Sequence, residues 1–440
     1  MTETHSIACL APVYAHRRAR LAARLQQGIA IIPTAPERAR NRDSHYPYRY
    51  DSYFYYLTGF TEPDAVLVVT AGNSPRSVLF CRAKDPEREI WDGFRYGPDQ
   101  AREVFGFDEC HKIAELDARL PALLADQPQI HSHLGGDGQW DARVLGWLNS
   151  VRAQVRNGVS APAAITDVRR VLDDMRLVKD GHELATMRRG AQISTGAHQR
   201  AMRATQPGRT EYEIEAELLH EFRRSGAQSP AYGSIVAGGA NACVLHYVRN
   251  DAVLSAGDLL LIDAGCELDG YASDITRTFP VNGEFSPAQR DVYQLVLAAQ
   301  AEAIAQVAPG ASWNAPHDAA VRVLAQGLIE LGLCHGSVDK VIETGDYKTF
   351  YMHRTGHWLG LDVHDAGDYK CDGDWRKLEP GMVLTVEPGC YIRAGAGVPA
   401  HFANIGIRIE DDVAVTATGN EVLTQAAPKT VAGIEALMRG

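Results

Sequence analysis

The chain has 440 residues, with 44 Lys and Arg against 55 Asp and Glu, giving a formal net charge of −11. At roughly 100–200 residues per domain, that length calls for two or three domains. A content of 45% hydrophobic and 22% charged residues belongs to globular proteins, not to disordered or collagen-like ones. The acidic balance excludes a broad nucleic-acid or anionic-membrane surface, which needs clustered positive charge, and favours small molecules or peptides as partners.

In chain order, the start Met1-Thr2-Glu3-Thr4-His5 has no apolar run after a basic segment and does not read as a secretory signal. Arg17, Arg18, Arg20 and Arg24 have the composition of a transit peptide, but the apolar run Gly28–Pro33 follows at once, so they are expected in a first helix. No stretch reaches the ~18 apolar residues of a membrane span. Eight cysteines, none in a C-x-x-C pair, suit a reducing cytoplasm. Strand-like runs at 28–32, 65–70 and 77–81 predict a small mixed α/β domain. Six tyrosines crowd positions 46–56, which predicts a strand or helix half-buried in a core or an interface. The small residues and proline of Asn157–Ala164 are the best linker candidate, with the boundary between 157 and 180. The expected domains are 1–175, serving oligomerisation and substrate access, and 176–440, carrying the chemistry.

Helix starts are legible beyond that point. Asp180 with Glu183, Thr210 with Glu213 and Ser286 with Gln289 have the spacing at which two side chains satisfy free N–H groups reciprocally. A weak duplication follows: Pro207-Gly208 and Pro309-Gly310 each precede an amphipathic helix, and Gly257–Asp263 and Gly381–Glu387 each run from glycine through apolar residues to a carboxylate. Two such halves imply a pseudo-two-fold domain with helices covering one curved antiparallel sheet, and a site on its axis.

A strand that ends in an acid needs a reason, because an unpaired buried carboxylate is costly. Four occur here: Asp263, Asp274 within the expected strand 270–279, Glu387 and Glu410. Strand alternation sets Arg408 on the face of Glu410, and Thr276 on that of Asp274. Three of sixteen histidines, His353, His357 and His364, fall in one glycine-bounded segment, where Gly356 and Gly360 disfavour a regular helical zinc pair. Carboxylates with one imidazole suit two divalent cations that take hard oxygen ligands, Mn²⁺ first, with Co²⁺, Fe²⁺ or Zn²⁺ as alternatives. A purely thiolate zinc site is excluded by the cysteine spacing. Two cations ~3.5–4 Å apart would share a hydroxide as nucleophile, so hydrolysis is the leading chemistry, with amide and phosphoester substrates both open.

Asp263, Asp274, His357, Glu387 and Glu410 stand in the order and local contexts of the pita-bread metallopeptidases, which this chain resembles along its whole length. His353–Asp365 is similar to their signature segment. Asp263–Pro280 resembles the branch that holds aminopeptidase P and prolidase, and Ile90–Gly97, Met175–Lys179 and the tyrosine-rich segment through Phe60 resemble bacterial-type aminopeptidase P more than prolidase. The resemblance implies an N-terminal mixed α/β domain followed by a pita-bread domain of duplicated α-β halves. It implies release of the first residue from peptides with proline second, by a dinuclear, typically Mn²⁺-dependent site held by those five residues. It also gives Glu387 the role of proton acceptor and shuttle. His246 and His364 would stabilise the oxyanion, His353 would line the proline pocket, Arg408 would orient the acidic ligands, Tyr391 would contact substrate, and Trp91 would close a neighbouring subunit's site in a homodimer or homotetramer. An Xaa-Pro bond is a tertiary amide without an N–H, which ordinary strand-docking peptidases hold poorly. The alternatives are an Xaa-Pro dipeptidase, a catalytically silent binding protein, for which a missing ligand would be expected, and a dinuclear phosphoesterase.

Overall fold

The computed structural model describes residues 3–440, with side chains from residue 9 onward. Met1 and Thr2, where the expectation of no export signal begins, lie outside the described residues. The chain divides into two compact units, the first ending at Met175 and the second running from Arg176 to Gly440.

In the first unit, helix α1 (Glu3–Leu25) leads into strand β1 (Ile29–Pro33), and helix α2 (Ser52–Thr58) follows. Strands β2 (Val66–Thr70), β3 (Arg76–Cys81), β4 (Glu109–Lys112), β5 (Gln129–Ser132) and β6 (Ala164–Asp167) complete a mixed six-stranded sheet in the order β4-β3-β2-β1-β5-β6. Two of the basic residues of α1 serve the fold. Arg17 and Arg18 are buried, and their guanidiniums donate to the Tyr56 and Leu57 carbonyls at the end of α2, where helix carbonyls lack partners. The second half of the tyrosine run, Tyr53, Tyr55 and Tyr56, becomes α2, opened by the Asp51 side chain accepting from the Phe54 N–H and closed by Gly59 at φ 64°, while Tyr46, Tyr48 and Tyr50 precede it without regular structure. Asn157–Ala164 is not the linker: it leads into β6, an edge strand of this sheet, and the division between units falls within the helix Arg169–Leu177.

The second unit opens with α3 (Gly181–Ala204) and α4 (Glu211–Arg224), and α5 (Pro287–Ala305) begins its second half, followed by α6 (Ala315–Glu330). The expected capping boxes form at Asp180/Glu183, Thr210/Glu213 and Ser286/Gln289. These helices bury their apolar faces on one core that includes Ile214, Leu218, Phe222, Val292, Val296, Leu324 and Leu328.

The duplication takes a specific form. In the first half, β8 (Leu259–Asp263) pairs antiparallel with β11 (Thr276–Pro280), and β9 (Cys266–Leu268) pairs with β10 (Tyr271–Ala272); β7 (Ile235–Gly238) flanks β8. In the second half, β12 (Val383–Val386) pairs with β15 (Asp411–Val415), and β13 (Gly389–Ile392) with β14 (Ile405–Arg408). Each half is thus a long hairpin whose two strands both step midway, so the expected single curved sheet is several small antiparallel sheets. The steps fall at 264–265 and 273–275, and at 387–388 and 409–410. Asp274 therefore lies between strands, not within one. Gly265 permits this step, since a Cβ there would stand 1.7 Å from the Ser273 carbonyl oxygen. Pro388, with no N–H to give to a ladder, sits in the step beside Glu387.

Candidate metal centre and active site

The four steps deliver the four acids. Asp263 is the last paired residue of β8, next to the step at 264–265, while Asp274 and Glu387 sit in steps and Glu410 ends the step before β15. The Asp274 N–H, freed from the sheet, is held by both carboxylate oxygens of Asp412 at 3.2 Å. Asp274, His357 and Glu410 present ligand atoms all within 4.8 Å of one another. His357 Nε2 stands 3.5 Å from Asp274 and 3.7 Å from Glu387. Asp263 joins through the Tyr232 hydroxyl, which lies 2.6 Å from its Oδ1 and also contacts Asp274. The carboxylates are supported from behind: the Thr276 hydroxyl donates to Glu410 at 2.6 Å, and Arg408 donates to Asp263 at 2.6 Å and to Thr276 at 3.1 Å.

Electrostatics identify what this cluster lacks. Burial, reinforced by Asp274 and Asp263 against the pull of His357 and Arg408, raises Glu387 to about 7. Glu410 is raised by burial and by three carboxylates, Asp274, Glu387 and Asp263. His357 is lifted to about 9 because Asp274 and Glu387 outweigh its burial. Acids pushed toward neutrality and an imidazole pushed toward its cation mark a group of ligands short of positive charge. The His357 Nδ1–H faces the Trp358 carbonyl at 2.9 Å, leaving Nε2 on the carboxylate side. Hard oxygen donors plus one imidazole nitrogen fit divalent cations.

These residues line one cavity of about 1060 Å³, together with Tyr232, His246, His353, His364, Arg408 and an aromatic end of Trp313, Tyr369 and Trp375. The His364 ring packs edge-on to His357 at 4.3 Å between centroids. Burial and the nearby Arg408 hold His353 neutral, with a pKa of about 4. Its Nδ1 faces the Arg354 carbonyl at 2.7 Å and so must carry the proton; Nε2 then accepts from the Tyr391 hydroxyl at 2.8 Å, whose oxygen accepts from Arg408 at 3.0 Å. Tyr391 is 1% exposed and is spent on this chain behind the wall, so the structure does not set it on the cavity surface as expected. Trp91 belongs to the first unit, 83% exposed on the helix Pro86–Asp92, while every residue lining the cavity comes from the second unit.

Three contributors were not legible beforehand. Tyr232 lies in the connection between a two-residue strand and β7, where no periodicity points to it. Asp412 reads as an ordinary strand acid. Asp365 closes the histidine segment and is buried between Arg176 and Lys179, at 2.6 and 2.9 Å, which a pairing of signs across nearly 190 positions does not reveal.

Comparison with known proteins agrees with this geometry. Residues 185–417 match metallopeptidase family M24, and residues 14–131 match the aminopeptidase P N-terminal domain. The chain is 46% identical over 428 residues to an Xaa-Pro aminopeptidase of Escherichia coli, covering 97% of each. It resembles the solved structure of the Pseudomonas aeruginosa aminopeptidase PepP, at 51% identity and a TM-score of 0.96, covering 98% of each chain. It also resembles a zinc-substituted E. coli aminopeptidase P in complex with product, at 45% identity and a TM-score of 0.95, again covering 98% of each. Acids at four strand steps, an imidazole turned toward them and matches across both units place this chain in metallopeptidase family M24, with the aminopeptidases P.

Proposed function

We propose that the chain is an Xaa-Pro aminopeptidase that releases the N-terminal residue from peptides with proline in second position. The observation that carries the reading is the convergence of Asp263, Asp274, His357, Glu387 and Glu410 on one peptide-sized cavity, in a chain whose similar proteins bear that activity in their names. Those five residues would hold two divalent cations, Mn²⁺ in our reading, which when bound supply an activated water and polarise the scissile carbonyl. The chain's own groups supply the rest. Glu387 takes a proton at its carboxylate and passes it to the departing proline nitrogen. His246 and His364, both on the cavity wall, donate toward the oxygen on which charge develops. His353 borders the proline site, kept neutral and fixed in orientation by the directed chain from Arg408 through Tyr391. The exposed Trp91 reaches a neighbouring subunit's site in a homodimer or homotetramer, and eight free cysteines suit a cytoplasmic enzyme.

The test is release of arginine from an Arg-Pro-Pro-type tripeptide in Mn²⁺, beside an Xaa-Pro dipeptide. Turnover of the tripeptide is expected; cleavage of the dipeptide alone would make the chain a prolidase and end this proposal.

A further inference from the structure

We infer that Glu211, which does not line the cavity, is a positioning residue for His246; the inference rests on the Xaa-Pro aminopeptidase reading. Glu211 is the first residue of α4 and is fully buried. An acid there commonly serves its own helix's free N–H groups, but this one is turned away from them. Its Oε1 accepts from the Gly238 N–H at 2.8 Å and the Asn241 side chain at 3.0 Å. Its Oε2 accepts from the Tyr247 hydroxyl at 2.7 Å and the Ala252 N–H at 2.9 Å. Gly238 ends β7, and the other three donors belong to the connection 239–252, which has no regular structure beyond one 3₁₀ turn at Gly239–Cys243.

Two of the pins precede His246 and two follow it. Between them Leu245 and Tyr247 pack on a cluster with Ile235, Ala237 and Leu261, which anchors the chain on both sides of His246; His246 lines the cavity beside Leu245 and Val248. No hydrogen bond to another described residue holds the His246 ring, so its place is set by its backbone. A second latch works in the same sense: the Asn250 side chain accepts from the Val236 N–H at 3.0 Å and donates to the Ser234 carbonyl at 2.8 Å. Four donors facing one carboxylate also explain the choice of residue. A glutamine of the same shape must turn its NH₂ toward at least one N–H or O–H, which breaks that pin.

The experiment compares Glu211→Gln, His246→Ala and the double variant as full-length, cation-loaded protein, by tripeptide cleavage and by amide hydrogen exchange. Glu211→Gln should lower kcat on the order of 10- to 100-fold with a smaller change in KM, and speed exchange within 238–252. In the His246→Ala background it should cost less than about twofold further, because the positioned group is already gone. Tyr247→Phe, which removes one pin of four, should show the same non-additivity at smaller amplitude, and carries the test if Glu211→Gln does not fold. Unchanged kcat, or the same loss in both backgrounds, overturns the inference. If the unsubstituted protein cleaves no Xaa-Pro peptide, it is the functional reading that fails. Exchange then decides for Glu211: acceleration confined to 238–252 upholds its hold on the loop, and unchanged exchange refutes it.

Discussion

At Glu387 the charge shortage of the site becomes a measurable stability. Its carboxyl is raised from 4.5 to about 7 in the folded, cation-free protein, with burial as the first cause. Between those values the unfolded chain has released a proton that the folded chain keeps. Its contribution is therefore complete below about pH 4.5 and is lost as pH rises through 7. Melting temperature of chelator-treated protein should fall across that window, and saturating Mn²⁺ should flatten the dependence, because the cation takes the place of the proton. Asp274→Asn tests the ligand itself. It keeps volume and removes charge, and should lower tripeptide turnover by on the order of 10²–10³-fold or more while weakening cation binding in a calorimetric titration; full activity would remove Asp274 from the ligand set.

At the scale of elements, the segment carrying His353, His357 and His364 has little regular structure and depends on its end being tied down. Asp365 does this, accepting from Arg176 and Lys179 in a buried triad, while its own N–H donates to the Trp358 carbonyl at 2.9 Å. The Lys179 and Arg176 charges outweigh its burial and hold its pKa below the ordinary value of 3.8. That stability is present above pH 3.8 and disappears as pH falls through the lowered value. Asp365→Asn takes the buried carboxylate from Lys179 and leaves Arg176 its pairing with Asp362 at 2.7 Å; it should cost about 3 kcal/mol, read by denaturant unfolding. What could be read in the sequence here follows from range. The boxes at Asp180, Thr210 and Ser286 are local, three residues wide, and form as written. Asp263, Glu387 and Glu410 are legible because each follows a run of sheet-forming residues, Asp274 because it sits inside one, and the histidines because glycines bound them. Tyr232, Asp412 and the pairing of Asp365 are long-range contacts, and their residue types are unremarkable where they stand. The sheet formers on either side of Asp274, Tyr271 before it and Ile275 to Phe279 after it, predict a continuous strand; the step there depends on Gly265 meeting a carbonyl eight positions on.

For the whole molecule, each unit has its own apolar core, and every side chain lining the cavity lies in the second. Cation binding should therefore protect amides of residues 176–440 far more than those of the first unit in hydrogen exchange. It should also raise the melting temperature of the second unit on the order of 5–10 °C at a hundredfold excess over the dissociation constant. The stepped hairpins have a further effect, on which parts of the chain can change length. Pairing on the core side of each step, β12 with β15, is set separately from pairing on the tip side, β13 with β14. A slip at the tip is thus absorbed before it reaches Glu387 or Glu410. Extra Gly-Ser residues inserted at Gly395–Gly397, in the exposed turn between β13 and β14, should leave kcat/KM within about twofold. One residue inserted between Val386 and Gly389 should abolish activity. The hairpin tip is free to be reshaped, by evolution or by grafting, while the acids beneath it keep their places.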